Sequence, residues 1–291
     1  MATLSLLPQI LVDGLTLGAV YAIVAVGLTL VFGVMRIINF AHGDFLMVAM
    51  YASYYAAVVL RLDPYLTLVL TLPLLTVFAA LVYRLLFAPI LGTAEHNQVL
   101  VSIGLSLILQ NIALVVFTAD VHTTPSAFAR SKFYLGDVIV RTPAAVACIV
   151  SLVVCLGLYW FLRRTDIGRR IRATAEDRDA AQMCGIAVDR IYLTTFCLGI
   201  GSLGLVAPLL APFYDVSPSI GLGFTLNAFI IVVLGGLGNF IGALVGGLLI
   251  GLVEALGGLY TNGSMPFLFT YGIFVVILLF RPTGIMGRAR L

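Results

Sequence analysis

Apolar residues fill this chain in long runs, and polar residues appear mainly in the short gaps between them. The first run extends from about Leu11 to Val34, long enough to cross a bilayer core of about 30 Å as a helix. A second, Arg36 to Val59, opens with Arg36, Asn39, His42 and Asp44 before turning apolar. Further runs cover about Leu66–Phe87, Val99–Phe117, Pro143–Leu162 and Tyr192–Ala211. Then comes Leu226–Tyr260, interrupted at Gly235-Gly-Leu-Gly-Asn239, and finally Phe267–Phe280. The longest polar stretches are Thr118–Arg141, expected to be a loop, and the charged island from Arg163 to Arg190.

Composition turns this pattern into a class. Hydrophobic residues make up 62% and charged residues 10%, with a mean hydropathy of +1.14. Ordinary soluble domains carry about 25% charge. The expected fold is therefore an all-α polytopic membrane bundle, one domain over residues 1–291, with about eight to nine transmembrane helices and broken or re-entrant half-helices. The start, MATLSLLPQILVDGLTLG, lacks the basic segment of a signal peptide, so the first run is expected to be the first span. A net charge of +3 gives no reason to expect nucleic acid as a partner. The one lysine, Lys132, lies in a polar loop, so no phosphate-binding G-x-x-x-x-G-K-[ST] loop exists, and any ATP must be hydrolysed by another subunit. His42, His96 and His122 fall on separate connections, no metal-ligand spacing or catalytic set emerges, and no cofactor is expected. The four cysteines form no C-x-x-C pair and read as packing residues.

Two interruptions draw attention. Asn39, His42, Gly43 and Asp44 break a span without a proper loop. Polar groups at bilayer depth face a water-filled path or a partner, and broken helices in transporters lie beside the substrate route. A short turn with Asp44 capping the next helix explains the same residues. Gly235, Gly236, Gly238 and Asn239 form the second break, readable as path or as a tight turn that uses glycine at positive φ. Glu254 is an acid deep in an apolar run, either lining the path or reaching an interface. The small residues Gly242, Gly246, Gly247 and Gly251 mark close helix packing.

The island holds seven of the sixteen basic and five of the thirteen acidic residues. Thr174-Ala-Glu-Asp177 reads as a helix start and Gly185 as a stop, predicting a helix from Ala175 to Cys184 behind an arginine collar. A solvated loop that merely fixes topology is the alternative. With the island cytoplasmic, Arg36, Arg84, Arg281, Arg288 and Arg290 share its side, and Met1–Asp13 lies outside. The Leu226–Tyr260 region is expected to cross twice.

Three motifs in order, GLTLVFGVMRIINFAHGDFLMVAMY, TDIGRRIRATAEDRDAAQMCGIAVDRIY and AFIIVVLGGLGNFIGALVGGLLIGLVEAL, resemble the LivH-type permeases of branched-chain amino-acid ABC importers. The resemblance covers nearly the whole chain. It implies that the island (163–190) is a cytoplasmic coupling loop. Gly168, Arg169, Arg172, Ala173, Asp177, Ala181 and Gly185 match its pattern, whereas Cys184 stands where an aliphatic residue is expected. It also implies a multi-pass permease of the bacterial plasma (inner) membrane, surrounded by lipid and partnered by a second related permease, two ATPase subunits and a periplasmic or extracellular binding protein. Its small-molecule substrate would be a branched-chain amino acid, moved by alternating access. Relatives for urea, short amides or aromatic acids look similar. An ion-coupled secondary transporter is the competing class, and a gated channel and a membrane enzyme fit less of the chain.

Overall fold

A computed structural model describes residues 7–126, 128–261, 265–281 and 283–286. Met1 to Leu6, and the tail arginines Arg288 and Arg290, lie outside the described residues. The first helix, α1 (Leu7–Met35), is buried without interruption from Gly18 to Val31. A helix that is apolar all round belongs in the centre of a bundle, and the others pack around it.

The chain continues through α2 (His42–Val59) and a 3-10 turn at Pro64–Thr67, started by Asp63, whose Oδ1 accepts the Tyr65 N–H at 3.1 Å. That turn runs into α3 (Leu68–Val82) and on through a wider turn at Tyr83–Phe87 and a tighter 3-10 turn at Ala88–Ile90, so this run spans Pro64–Ile90. Next come α4 (Glu95–Phe117) and α5 (Thr142–Arg164). The island follows as α6 (Asp166–Glu176) and α7 (Arg178–Met183). The last four helices are α8 (Val188–Leu210), α9 (Ile220–Gly235), α10 (Phe240–Tyr260) and α11 (Pro266–Phe280). Among the described residues six helices are long and apolar enough to cross a membrane, and α9 and α11 are shorter apolar helices. This is the expected polytopic helical bundle with interrupted spans.

The loop expected at Thr118–Arg141 is partly ordered as a hairpin. Strands β1 (Lys132–Leu135) and β2 (Val138–Arg141) pair antiparallel around Gly136, which has φ +63°. Short runs of aromatic and β-branched residues, Phe133-Tyr134 and Val138–Val140, flank the two-residue turn Gly136-Asp137, the usual closure of a hairpin. Gln9 on α1 clamps Ile139 of β2 through both its N–H and its C=O, so α1 begins at this hairpin end. At the other end, Gly33 of α1 abuts Gly238, and Ile171 of α6 is buried below α1 and α5. Within the bundle α9 runs toward the island end and α10 runs back toward the hairpin end, and α11 returns to the island end, where Ile285 N–H donates to Leu234 C=O at 2.7 Å. Arg281 falls on the island side.

The most extensive packing joins α1 to α10. A Cβ on Gly247 would sit 2.5 Å from the Ala22 Cα, and one on Gly251 would overlap the Gly18 backbone. The small residues that marked packing in the sequence are where two backbones meet.

Candidate functional site

At the first break the chain reverses. Past Met35, Arg36 takes φ +59°, and by His42 the backbone is level with Val24, whose carbonyl lies 2.9 Å from His42 Nε2. Val24 is about three helical turns back along α1, or about 16 Å. Helix α2 thus starts inside the bundle, and Asn39, His42 and Asp44 are all fully buried. Asn39 Oδ1 accepts the Ala41 N–H at 3.1 Å, forming the turn that launches α2. Gly43 crosses Gly221 of α9 with no room for a Cβ, and its N–H donates to Thr225 Oγ1 at 2.8 Å.

Asp44 does not cap α2, as the turn reading required. Its Oδ1 accepts from Gln110 Nε2 of α4 at 3.0 Å, and the start of α2 has no side-chain cap. The reason is geometric: Ala41, not a polar side chain, precedes the helix, and its carbonyl takes the Asp44 and Phe45 amides. Asn39 Nδ2, His42 Nδ1 and Asp44 Oδ2 are buried without partners.

The second break lies elsewhere. Gly236 (φ +97°) and Gly238 (φ +80°) form a tight turn at the island end, where Asn239 Oδ1 caps α10 through the Gly242 N–H at 3.0 Å. Asn239 Nδ2 also donates to Met286 C=O at 2.9 Å, tying down the chain after α11. Gly235 packs on Gly242. The two breaks do not form one pocket. Glu254 sits toward the hairpin end of α10, where it accepts the Tyr21 hydroxyl at 3.1 Å, and its Oε2 has no partner. Tyr21 meets Phe224 edge-on at 6.0 Å, so the first turns of α9 lie between Glu254 and Asp44.

One polar feature is missing from the sequence reading. On α4, Gln98, Ser102, Ser106 and Gln110 recur every fourth residue and form one stripe along the helix. Gln98 and Ser106 are each 8% exposed and Ser102 is fully buried. The stripe faces the returning segment: Ser102 Oγ lies 3.2 Å from the Ile38 carbonyl, and Gln110 bridges Ser106 and Asp44. At its foot is a cavity of about 230 Å³ lined by Phe32, Arg36, Ile38, Glu95 and Gln98. The four-residue spacing was a readable signal, hidden inside a run otherwise apolar enough to pass as a plain span.

The island is helical over more of its length than the predicted Ala175–Cys184. Thr165 starts α6 by accepting the Gly168 N–H at 3.0 Å, and Asp177 starts α7 by accepting the Asp179 and Ala180 amides at 2.9 and 3.0 Å. Thr174 is not a cap: it sits mid-helix, with its hydroxyl bonded to the Arg170 carbonyl at 2.9 Å. Its signal was real but local, and the earlier start at Thr165 had already fixed a helix through it. The stop at Gly185, φ +80°, stands as predicted, with the Ile186 N–H returning to the Ala181 carbonyl.

Among the expected coupling residues, Gly168 and Ala181 are buried within the chain, whereas Arg169, Arg172, Ala173, Asp177 and Gly185 are exposed. A Cβ on Gly168 would overlap the Leu162 carbonyl, so this glycine sets the angle between α5 and α6. Met183 projects from the tip of α7 at 88% exposure, beside exposed Ala180 and Cys184. Cys184 is thus no packing residue. Arg169 pairs with Asp166. Between α6 and the ends of α1 and α5 lies a crevice of about 290 Å³ lined by Leu30, Val34, Tyr159, Ile171 and Arg172. Replacing Asp177 by alanine removes the acceptor of two amides and is expected to cost about 1 kcal/mol. Hydrogen exchange should then quicken in 178–183 while α6 stays protected, and equal exchange in both helices would count against two separately capped elements.

The family model described as branched-chain amino acid transport system / permease component matches residues 10–279. The high-affinity branched-chain amino acid transport system permease protein BraD of Pseudomonas aeruginosa is 33% identical, covering 96% of this chain and 95% of its own. The corresponding LivH of Salmonella typhimurium is 34% identical over the same shares. The ribose import permease protein RbsC of Escherichia coli is 26% identical and covers 57% of this chain and 54% of its own. No solved structure matches.

Proposed function

The chain belongs to the family of permease components of branched-chain amino acid transport systems, and from that premise we propose that it is the membrane permease of an ABC importer for branched-chain amino acids. The observation that carries the coupling to ATP is the island: a capped helix pair outside the apolar spans, rigidly started by Thr165 and Asp177, with an unpartnered apolar tip at Met183. A flexible, polarizable methionine at such a tip, beside exposed Ala180 and Cys184, suits a groove on another protein. Hydrolysis then takes place on two separate ATPase subunits, since this chain has no phosphate-binding loop.

The island end is cytoplasmic. It carries the arginines of α5–α7 together with Arg36 and Arg281, whereas the hairpin end has only scattered basic residues such as Lys132 and Arg141. The hairpin end faces the binding protein that delivers substrate, and a second related permease completes the membrane domain in the bacterial inner membrane. ATP-driven closure of the ATPases pushes α6 and α7, and the crevice above α6 gives that motion room. Access then alternates along a route beside the buried segment Asn39–Asp44. The Gly235–Asn239 turn, at the cytoplasmic surface, would lie near the exit.

The direct test is leucine uptake into proteoliposomes holding both permeases, the ATPases and the binding protein. Concentrative uptake should require ATP and the ATPases. Uptake by this chain alone, driven by a sodium or proton gradient, would overturn the reading in favour of a secondary transporter.

A further inference from the structure

We propose that the α4 stripe Gln98–Ser102–Ser106–Gln110 is one wall of the translocation route, and that the Gln110–Asp44 hydrogen bond is its latch: when it opens, Asp44 receives the ammonium of the transported amino acid. The proposal rests on the importer reading and adds residues to its path.

Four observations carry it. First, polar side chains in an apolar span are costly unless they are paired or wetted, and α4 confines these four to the one stripe that faces the returning segment. Second, Asp44 is fully buried and faced only by neutral donors: Gln110 donates to its Oδ1, the Ser106 hydroxyl lies beside the carboxyl, and Oδ2 has no hydrogen bond among the described residues. Among the described residues the one ion pair is Arg169–Asp166, far away on the island, so no cation answers this carboxylate. An α-ammonium would. Third, Asn39 Nδ2 is a buried donor without an acceptor, and Gln110 Nε2 becomes a second once the latch opens. Two amide donors and one carboxylate acceptor on facing walls complement a zwitterion, the chemistry shared by all α-amino acids. Fourth, α4 lies at the periphery of the chain, packing chiefly on α2 and the turn after α3, so it can shift without disturbing the core around α1.

The cavity between Arg36, Glu95 and Gln98 opens at the island end of this stripe and gives the route its cytoplasmic mouth. Asn111, beside Gln110, points outward from the apolar helix and bonds only its own Leu107 carbonyl at 2.7 Å. It marks the face of α4 away from the latch and serves as a control.

The test uses the complete transporter in proteoliposomes, with leucine as substrate. Gln110→Leu and Asp44→Asn are expected to lower uptake at least tenfold while ATPase co-purification is kept, whereas Asn111→Leu stays within twofold of wild type. Because a buried variant can fail for structural reasons, a second readout is accessibility. In a background with the four native cysteines replaced by serine or alanine, Ser106→Cys and Leu107→Cys are compared for reaction with a charged methanethiosulfonate. Ser106→Cys should react at least tenfold faster and be slowed by leucine. If Ser106→Cys is as silent as Leu107→Cys, on the exposed face of α4, while the wild-type complex imports leucine, the wall assignment fails and the importer reading stands. If the wild-type complex imports no leucine with ATP, the importer reading fails, and unprotected labelling at Ser106→Cys then removes the amino-acid assignment too.

Discussion

Replacing Gly251 by valine is expected to leave almost no folded protein, although valine is apolar and the position lies inside an apolar helix. A Cβ at this position would overlap the backbone of Gly18, not a side chain that can swing aside. Gly18 opens the stretch of α1 that is buried on every side, and the same helix holds α5, α8 and α9 in place. Overpacking that side chains can absorb costs about 1–3 kcal/mol. Here two backbones must separate along their whole crossing, because Gly247 meets Ala22 just as closely one turn away. The loss is expected to consume most of a stability of about 5–15 kcal/mol. Gly258 lies on the same helix with nothing within 4 Å of its would-be Cβ, so Gly258→Val is the control. Detergent extracts analysed by fluorescence-detected gel filtration and thermal melting should show a monodisperse, wild-type-like Gly258→Val and an aggregated or absent Gly251→Val. Equal melting of both variants would mean that α1 and α10 do not cross as described.

That crossing was legible in the sequence, and the reason is physical. Small residues at helical spacing in an apolar run have few uses besides close approach, so Gly247 and Gly251 pointed to packing before any partner was known. The spans were legible for a similar reason, because a bilayer imposes length and apolarity together. The first break was visible as polar residues without a loop, but its depth was not: that Asn39 to Asp44 climbs back alongside Val24 depends on Arg36 turning to positive φ and on Gly43 finding Gly221 far along the chain. The α4 stripe was missed because four polar residues spread over an apolar helix do not lower its hydropathy enough to be noticed. Their meaning comes from what they face. On the island, the local cap signal at Thr174 competed with one nine residues earlier at Thr165, and the earlier one prevailed because the intervening chain favours helix and buries Ile171 against α1 and α5.

The island gives the other large expected effect, and it separates docking from folding. Met183→Asp should abolish association with the ATPase subunits while the permease melts as wild type does. The side chain touches little of its own chain at 88% exposure, so its loss removes nothing internal. A central apolar anchor at a protein interface typically costs at least about 2 kcal/mol when lost, roughly thirtyfold in affinity, and a buried carboxylate in its place adds a desolvation penalty. Gly168→Ala makes the opposite case. Gly168 is buried, and its new methyl would strike the Leu162 carbonyl, so α6 must tilt away from α5 and carry the tip with it. Association should weaken here too, but accompanied by a lower melting temperature and faster hydrogen exchange through 166–176. Co-purification with the ATPases, melting and ATP-dependent leucine uptake, measured on the same preparations, distinguish the two. If Met183→Asp retains the ATPases at wild-type yield, the tip of α7 is not the handle. The exposed face of α6, with Arg169, Arg172 and Ala173, would then take its place as the contact to test.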